Sequence, residues 1–160
     1  MKRLCVFALA MTLCVQILHG EDSSRATAPA ALLDLNDCHV LRIFARLWKF
    51  HALGETENGA WIAMNQDGQY RQIDWSYTPQ RHITEWSGVL PENIVAQLHT
   101  HGESLDPRPS GPDSLVAKRL NVCVYTVTRK GIWKVSPDGV VTREMKHGWF
   151  EESVQRCGPD

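Results

Sequence analysis

The chain has 160 residues, with 17 Lys and Arg against 18 Asp and Glu, for a formal net charge of -1. That balance excludes nucleic acid or an anionic membrane surface as the main partner, because binding phosphates requires a basic face. Seven histidines and six tryptophans are the compositional departures.

Lys2 and Arg3 precede an apolar run over residues 4–18 that is short for a bilayer crossing. Residues 1–20 therefore read as a secretory signal peptide with cleavage near Gly20, where His19, Glu21 and Asp22 end the run. The reading implies a secreted or periplasmic protein with no stable membrane anchor after cleavage. About 140 residues remain, enough for one domain with its own core. Residues 21–33 begin "EDSSRATAPA" and read as a flexible leader, so the folded domain is expected over residues 34–160.

Cys38, Cys123 and Cys157 survive removal of the signal segment. An odd count in an oxidising compartment suggests one bridge and one buried thiol. Cys123 lies inside the apolar alternation "NVCVYTV" and reads as a core residue, which leaves Cys38 to pair with Cys157. Nothing in the sequence itself fixes that pairing.

Val40, Ile43, Phe44, Leu47, Trp48 and His51 recur at helical spacing and predict an amphipathic helix of about four turns that ends at Gly54. "AWIAM" and "YRQIDW" flank "NQDG", in which Asp67 and Gly68 supply hairpin turn residues. After Pro91, the alternation in "ENIVAQLHTH" predicts a strand with His99 and His101 at its C-terminal end. Residues 110–120 read as a helix, and "NVCVYTVT", "IWKVSP" and "VVTRE" as successive strands joined by "RKG" and "PDG" turns. The last segment, "HGWFEESVQRCGPD", reads as a short helix or an irregular tail. The order implies one α/β domain with a mixed β-sheet flanked by helices.

Two residues apart on a strand, His99 and His101 project to the same face, where two imidazoles can share a divalent metal. An ordinary alternative is a pair of surface histidines at a strand end. Asp113 offers a carboxylate as third ligand. Ser110, Pro112 and Asp113 also match a helix-capping pattern. The two readings are compatible, because a cap fixes the helix end that would present Asp113. No HExxH segment, deaminase cysteine pair, glycine-rich phosphate loop or nucleophile elbow occurs in the chain.

Taken together, "HTH", eight loop residues and "SGPD", with a strand before and a helix after, resemble the signature of the JAMM (MPN+, Mov34/JAB-like) metalloproteases, especially bacterial members. The resemblance runs from about residue 35 to 145 and includes the strand pair in "YTVTRKGIWKVSPDG". Gly102 stands where that family usually has proline. The resemblance implies a JAMM/MPN-like domain of cytidine-deaminase-like architecture, with Zn2+ held by His99, His101 and Asp113. In "ENGAWI" it makes Glu57 the general base, with Ala60 as the small residue that follows and Glu55 as the fallback base. Ser110 would donate a hydrogen bond to the tetrahedral oxyanion.

The implied activity is hydrolysis of an amide bond by a metal-bound water. The substrate would be a peptide or protein, including an isopeptide-linked or cell-wall peptide. Two other functions fit the same fold: a catalytically inactive interaction module, and a secreted effector or toxin domain. Trp86, in the loop before the histidine strand, is a candidate floor for a substrate groove. The other five tryptophans are expected to pack, and His39 is expected to be structural.

Overall fold

In the computed structural model, residues 32–54, 57–76, 86–103 and 105–158 are described. The expected signal segment, nearly all of the leader, Glu55 and His82 lie outside the described residues. Helix α1 spans Cys38–Gly54 and follows a polar turn. Asp37 caps it, its carboxylate accepting the His39 N–H at 2.6 Å and so satisfying one of the free donors of the first turn.

Six strands follow: β1 (Gly59–Met64), β2 (Tyr70–Asp74), β3 (Ile94–Thr100), β4 (Cys123–Thr128), β5 (Gly131–Val135) and β6 (Val141–Met145). Between β3 and β4 lies α2 (Gly111–Leu120), and α3 (Trp149–Cys157) closes the order. The strands form one sheet in the order β2-β1-β3-β4-β5-β6. Every neighbouring pair is antiparallel except β3 and β4. A parallel pair cannot be joined by a tight turn, and α2 supplies the crossover. In the β1–β2 hairpin, Gly68 takes a positive φ of 76° in the turn, a conformation open to glycine at little cost.

The alternation of side chains gives the sheet two different faces. On one, Ala60, Ile62, Ala96, Leu98, Tyr125, Val127 and Ile132 meet Val40, Ile43, Phe44 and Leu47 of α1. Phe44 sets its ring edge against Tyr125 at 5.4 Å between centroids, a favourable arrangement of aromatic quadrupoles. On the other, Val124 and Val135 pack beneath Ala117 of α2. The predicted α/β domain, with a mixed sheet flanked by helices, is the observed architecture.

The ambiguous C-terminal segment is helical. Trp149 is buried, and its indole N–H donates to the Thr128 carbonyl at 2.8 Å. Cys38 and Cys157 form a disulfide across a sequence separation of 119, while Cys123 is free and buried. Arg42 donates to the Cys157 carbonyl at 2.6 Å, so α1 and α3 are joined by a hydrogen bond beside the bridge. No described helix is long and apolar enough to cross a membrane.

Candidate metal centre

Alternation along β3 sends Ala96 and Leu98 into the α1-side core, which leaves His99 on the opposite face. The chain stays in register one residue beyond the strand, because the His101 N–H donates to the Val127 carbonyl at 3.1 Å. Both imidazoles therefore project to the α2 side, with their Nε2 atoms 3.0 Å apart. Two nitrogens bound to one tetrahedral ion at about 2.0–2.1 Å lie roughly 3.3 Å from each other. The observed separation is slightly shorter, and it also suits an imidazole–imidazole hydrogen bond.

Asp113 reaches the pair from the first turn of α2. Ser110 is the N-cap, in extended conformation at φ −85° and ψ 176°. Its N–H and its hydroxyl both donate to Asp113 Oδ2 at 2.6 Å. Asp113 Oδ1 is left facing His99 Nε2 at 3.6 Å. The helix cap and the candidate third ligand are thus one carboxylate, with one oxygen in the cap and the other facing His99. Ligand atoms of His99, His101 and Asp113 lie within 4.8 Å of one another, a group that can hold a metal ion.

The loop after β3 sets the tautomer of His101. A carbonyl can only accept, so the 2.7 Å contact between His101 Nδ1 and the Asp106 carbonyl places a proton on Nδ1, which makes Nε2 the ligand atom of the neutral ring. The loop is held in turn. Arg108 binds the Asp106 carboxylate and holds it down at a pKa of about 2, and the Thr126 hydroxyl donates to the Pro107 carbonyl at 2.6 Å.

Burial lowers the His99 pKa to about 4, against an upward pull from Asp113 and with a further downward push from His101. At neutral pH His99 is therefore uncharged, as a metal ligand must be. His99, His101 and Asp113 are 5%, 9% and 8% exposed. A buried carboxylate beside two electron-rich nitrogens is a donor set that a dication would neutralise, and these residues fit one on chemistry as well as spacing. His99 Nδ1 has no hydrogen-bond partner among the described residues.

Glu57 lies two residues before β1. Gly59 pairs with His99, and the next step back is kept by the Thr100 N–H donating to the Asn58 carbonyl at 2.9 Å. The same register carried one residue further sets Glu57 level with His101. Parity gives Glu57 the face of Gly59, which is the face of both histidines. Glu57 is 8% exposed. His99, His101, Asp113 and Ser110 are thus brought together on one side of the sheet, and strand parity assigns Glu57 to the same side.

Trp61, Trp75 and Trp86 share that side. Trp61 pairs with Gln97 on β3, and its ring centroid is 5.3 Å from Trp75 and 6.3 Å from Trp86. Trp75 packs where a Cβ on Gly59 would stand, at 2.4 Å, so the residue opposite His99 has no room for a side chain. Trp86 therefore belongs to an indole cluster beside the histidine strand.

Sequence reasoning missed the Asp106 carbonyl, because a backbone acceptor carries no residue signature. It read His51 only as part of the helical period, whereas the ring contacts Thr100 Oγ1 through Nδ1 at 3.1 Å and braces β3 from the α1 side. His39 contacts the Tyr70 carbonyl at 2.8 Å, a structural role as expected. Comparison of the chain with family models, curated proteins and solved structures gives no match.

Proposed function

We propose that the chain is a zinc-dependent peptidase or isopeptidase with a JAMM-like domain. The observation that carries this reading is the convergence of two imidazoles and one capped carboxylate on one side of the sheet, at the C-terminal end of a strand. His99, His101 and Asp113 would hold the ion, leaving the fourth position typical of catalytic sites. Bound there, zinc would supply Lewis acidity, lowering the pKa of water toward about 7 and polarising the amide carbonyl.

The remaining work falls to the chain. Glu57 accepts a proton from the attacking water and returns it to the departing amine, so that one water and one amide become an acid and an amine. Ser110, whose hydroxyl donates to Asp113, fixes the orientation of the carboxylate ligand. The oxyanion role implied by the family resemblance would require that hydroxyl to turn from Asp113 to the substrate.

The test begins with elemental analysis of protein purified without chelator, beside His101→Ala and Asp113→Asn. Asparagine keeps an acceptor for the Ser110 N–H while removing the charge. About one zinc per chain in the wild type, lost from both variants, is expected. Peptide and isopeptide libraries are then screened for cleavage by wild type that Glu57→Gln lacks. A folded wild type that takes up no zinc when offered it would end the peptidase reading.

A further inference from the structure

A cavity of about 260 Å³ begins at Gly102, one residue after His101, and is bounded by Thr128, Arg129, Lys130 and His147. It lies outside the metal ligands but shares a wall with them, since the loop that lines it also carries the Asp106 carbonyl bonded to His101. Arg129 and Lys130 of its lining are cationic, and Glu103 is the one carboxylate among its described lining residues. On a chain whose net charge is -1, this is a local concentration of positive charge beside the proposed site.

The cationic residues stand on a braced turn. Lys130 N–H donates to Thr128 Oγ1 at 3.1 Å, and that hydroxyl donates to the Gly131 carbonyl at 2.9 Å. Arg143 donates to the Lys130 carbonyl, and Trp149 to the Thr128 carbonyl at 2.8 Å. Gly131 has a φ of +143°, and a Cβ there would meet the Met145 carbonyl oxygen at 2.2 Å, so the turn has little room to change. Backbone already in place lowers the ordering cost of binding. Arg129 pairs with Glu103 at 3.2 Å, but both side chains are 67% exposed. An ion pair so exposed is weak, and Arg129 can exchange it for a ligand. Lys130 has no ion-pair partner among the described residues.

We propose that this cavity is an anion subsite that receives a carboxylate of the peptide substrate, with Lys130 and Arg129 as its charged contacts. The proposal rests on the peptidase reading for the word substrate, and on the cavity alone for the anion. The carboxylate is either a peptide C-terminus or an acidic side chain.

The test follows amide NMR signals of Gly102, Thr128 and Lys130 during titration with small probes. N-acetyl-glycyl-glycine is compared with its amide, and N-acetyl-glutamyl-glycinamide with the glutaminyl analogue. We expect at least one acid to bind about tenfold more tightly than its neutral partner. The free acid succeeding assigns the subsite to a chain terminus, and the glutamyl amide to an acidic side chain. Arg129→Gln with Lys130→Gln should remove the preference while leaving zinc content and melting temperature unchanged. Both positions are exposed, and Lys130→Glu alone should weaken acid binding if the double variant folds poorly.

Equal binding of acids and neutral analogues, or an unchanged preference in the double variant, would overturn the subsite. Each titration is repeated after zinc is stripped. A preference that vanishes with zinc belongs to the ion and also overturns the proposal. A preference that persists in a protein unable to take zinc keeps the subsite and removes the peptidase reading.

Discussion

Asp113 gives one oxygen to the helix cap and turns the other to His99, which makes Ser110 the informative residue. Ser110→Ala removes the hydroxyl that orients the carboxylate, and loss of such a supporting bond costs about 10–100-fold in metal affinity. Competition with a chromophoric chelator should register that loss; unchanged zinc affinity with slower turnover would instead assign Ser110 to the oxyanion. Glu57→Gln should bind zinc as the wild type does while losing peptide cleavage. Activity retained in that variant would move the base elsewhere. His99 makes the zinc-free fold sensitive to acid. Its pKa is about 4 in the folded state against an ordinary 6.5, so below pH 6.5 the unfolded chain binds the extra proton. Stability from this group is complete above about pH 6.5 and declines as pH falls through 4. The melting temperature of zinc-free protein should follow that course, with a flatter profile in His99→Gln. Equal slopes would acquit His99.

At the scale of elements, β1 and β3 act as one unit, with Gly59 across from His99 and Trp75 stacked over Gly59. Gly59→Ala must displace that indole, and overpacking of this kind costs about 1–3 kcal/mol. Urea denaturation should show the loss, accompanied by a change in tryptophan fluorescence. A neutral result would mean that Trp75 moves aside freely. The helix and the hairpin were legible in the chain because each depends on local pattern: the 3.6-residue recurrence through Val40, Phe44 and Leu47, and the Asp67-Gly68 turn. The tryptophan cluster was not, since Trp61, Trp75 and Trp86 belong to separate segments and no spacing rule relates them. The identity of the C-terminal segment was also open. Trp149 becomes the buried start of a helix by joining the main core, with its indole N–H satisfied by the Thr128 carbonyl of β4.

Across the whole molecule, the disulfide joins the first helix to the last. By the chain-entropy model, a bridge closing so long a loop contributes about 2–5 kcal/mol by restricting the unfolded state. Cys38→Ser with Cys157→Ser should lower the melting temperature while keeping zinc stoichiometry, because neither cysteine approaches the metal side of the sheet. Loss of zinc together with stability would show that α1 and α3 support the site as well as the fold.

The elements from α1 to β6, the two-residue histidine spacing and the Ser110–Asp113 pair were legible in the chain alone, because alternation, helical period and capping act over a few residues. The folded chain was needed to show that Asp113 meets His99, that β1 runs beside β3 with Gly59 opposite His99, and that Cys38 bonds to Cys157. Those depend on which strands are neighbours. The parallel β3–β4 pairing and its α2 crossover bring residues 99 and 113 together, and the antiparallel β1–β3 register brings residue 57 alongside. Strand order follows from how two apolar faces are buried at once, a property of the whole chain and of no single segment.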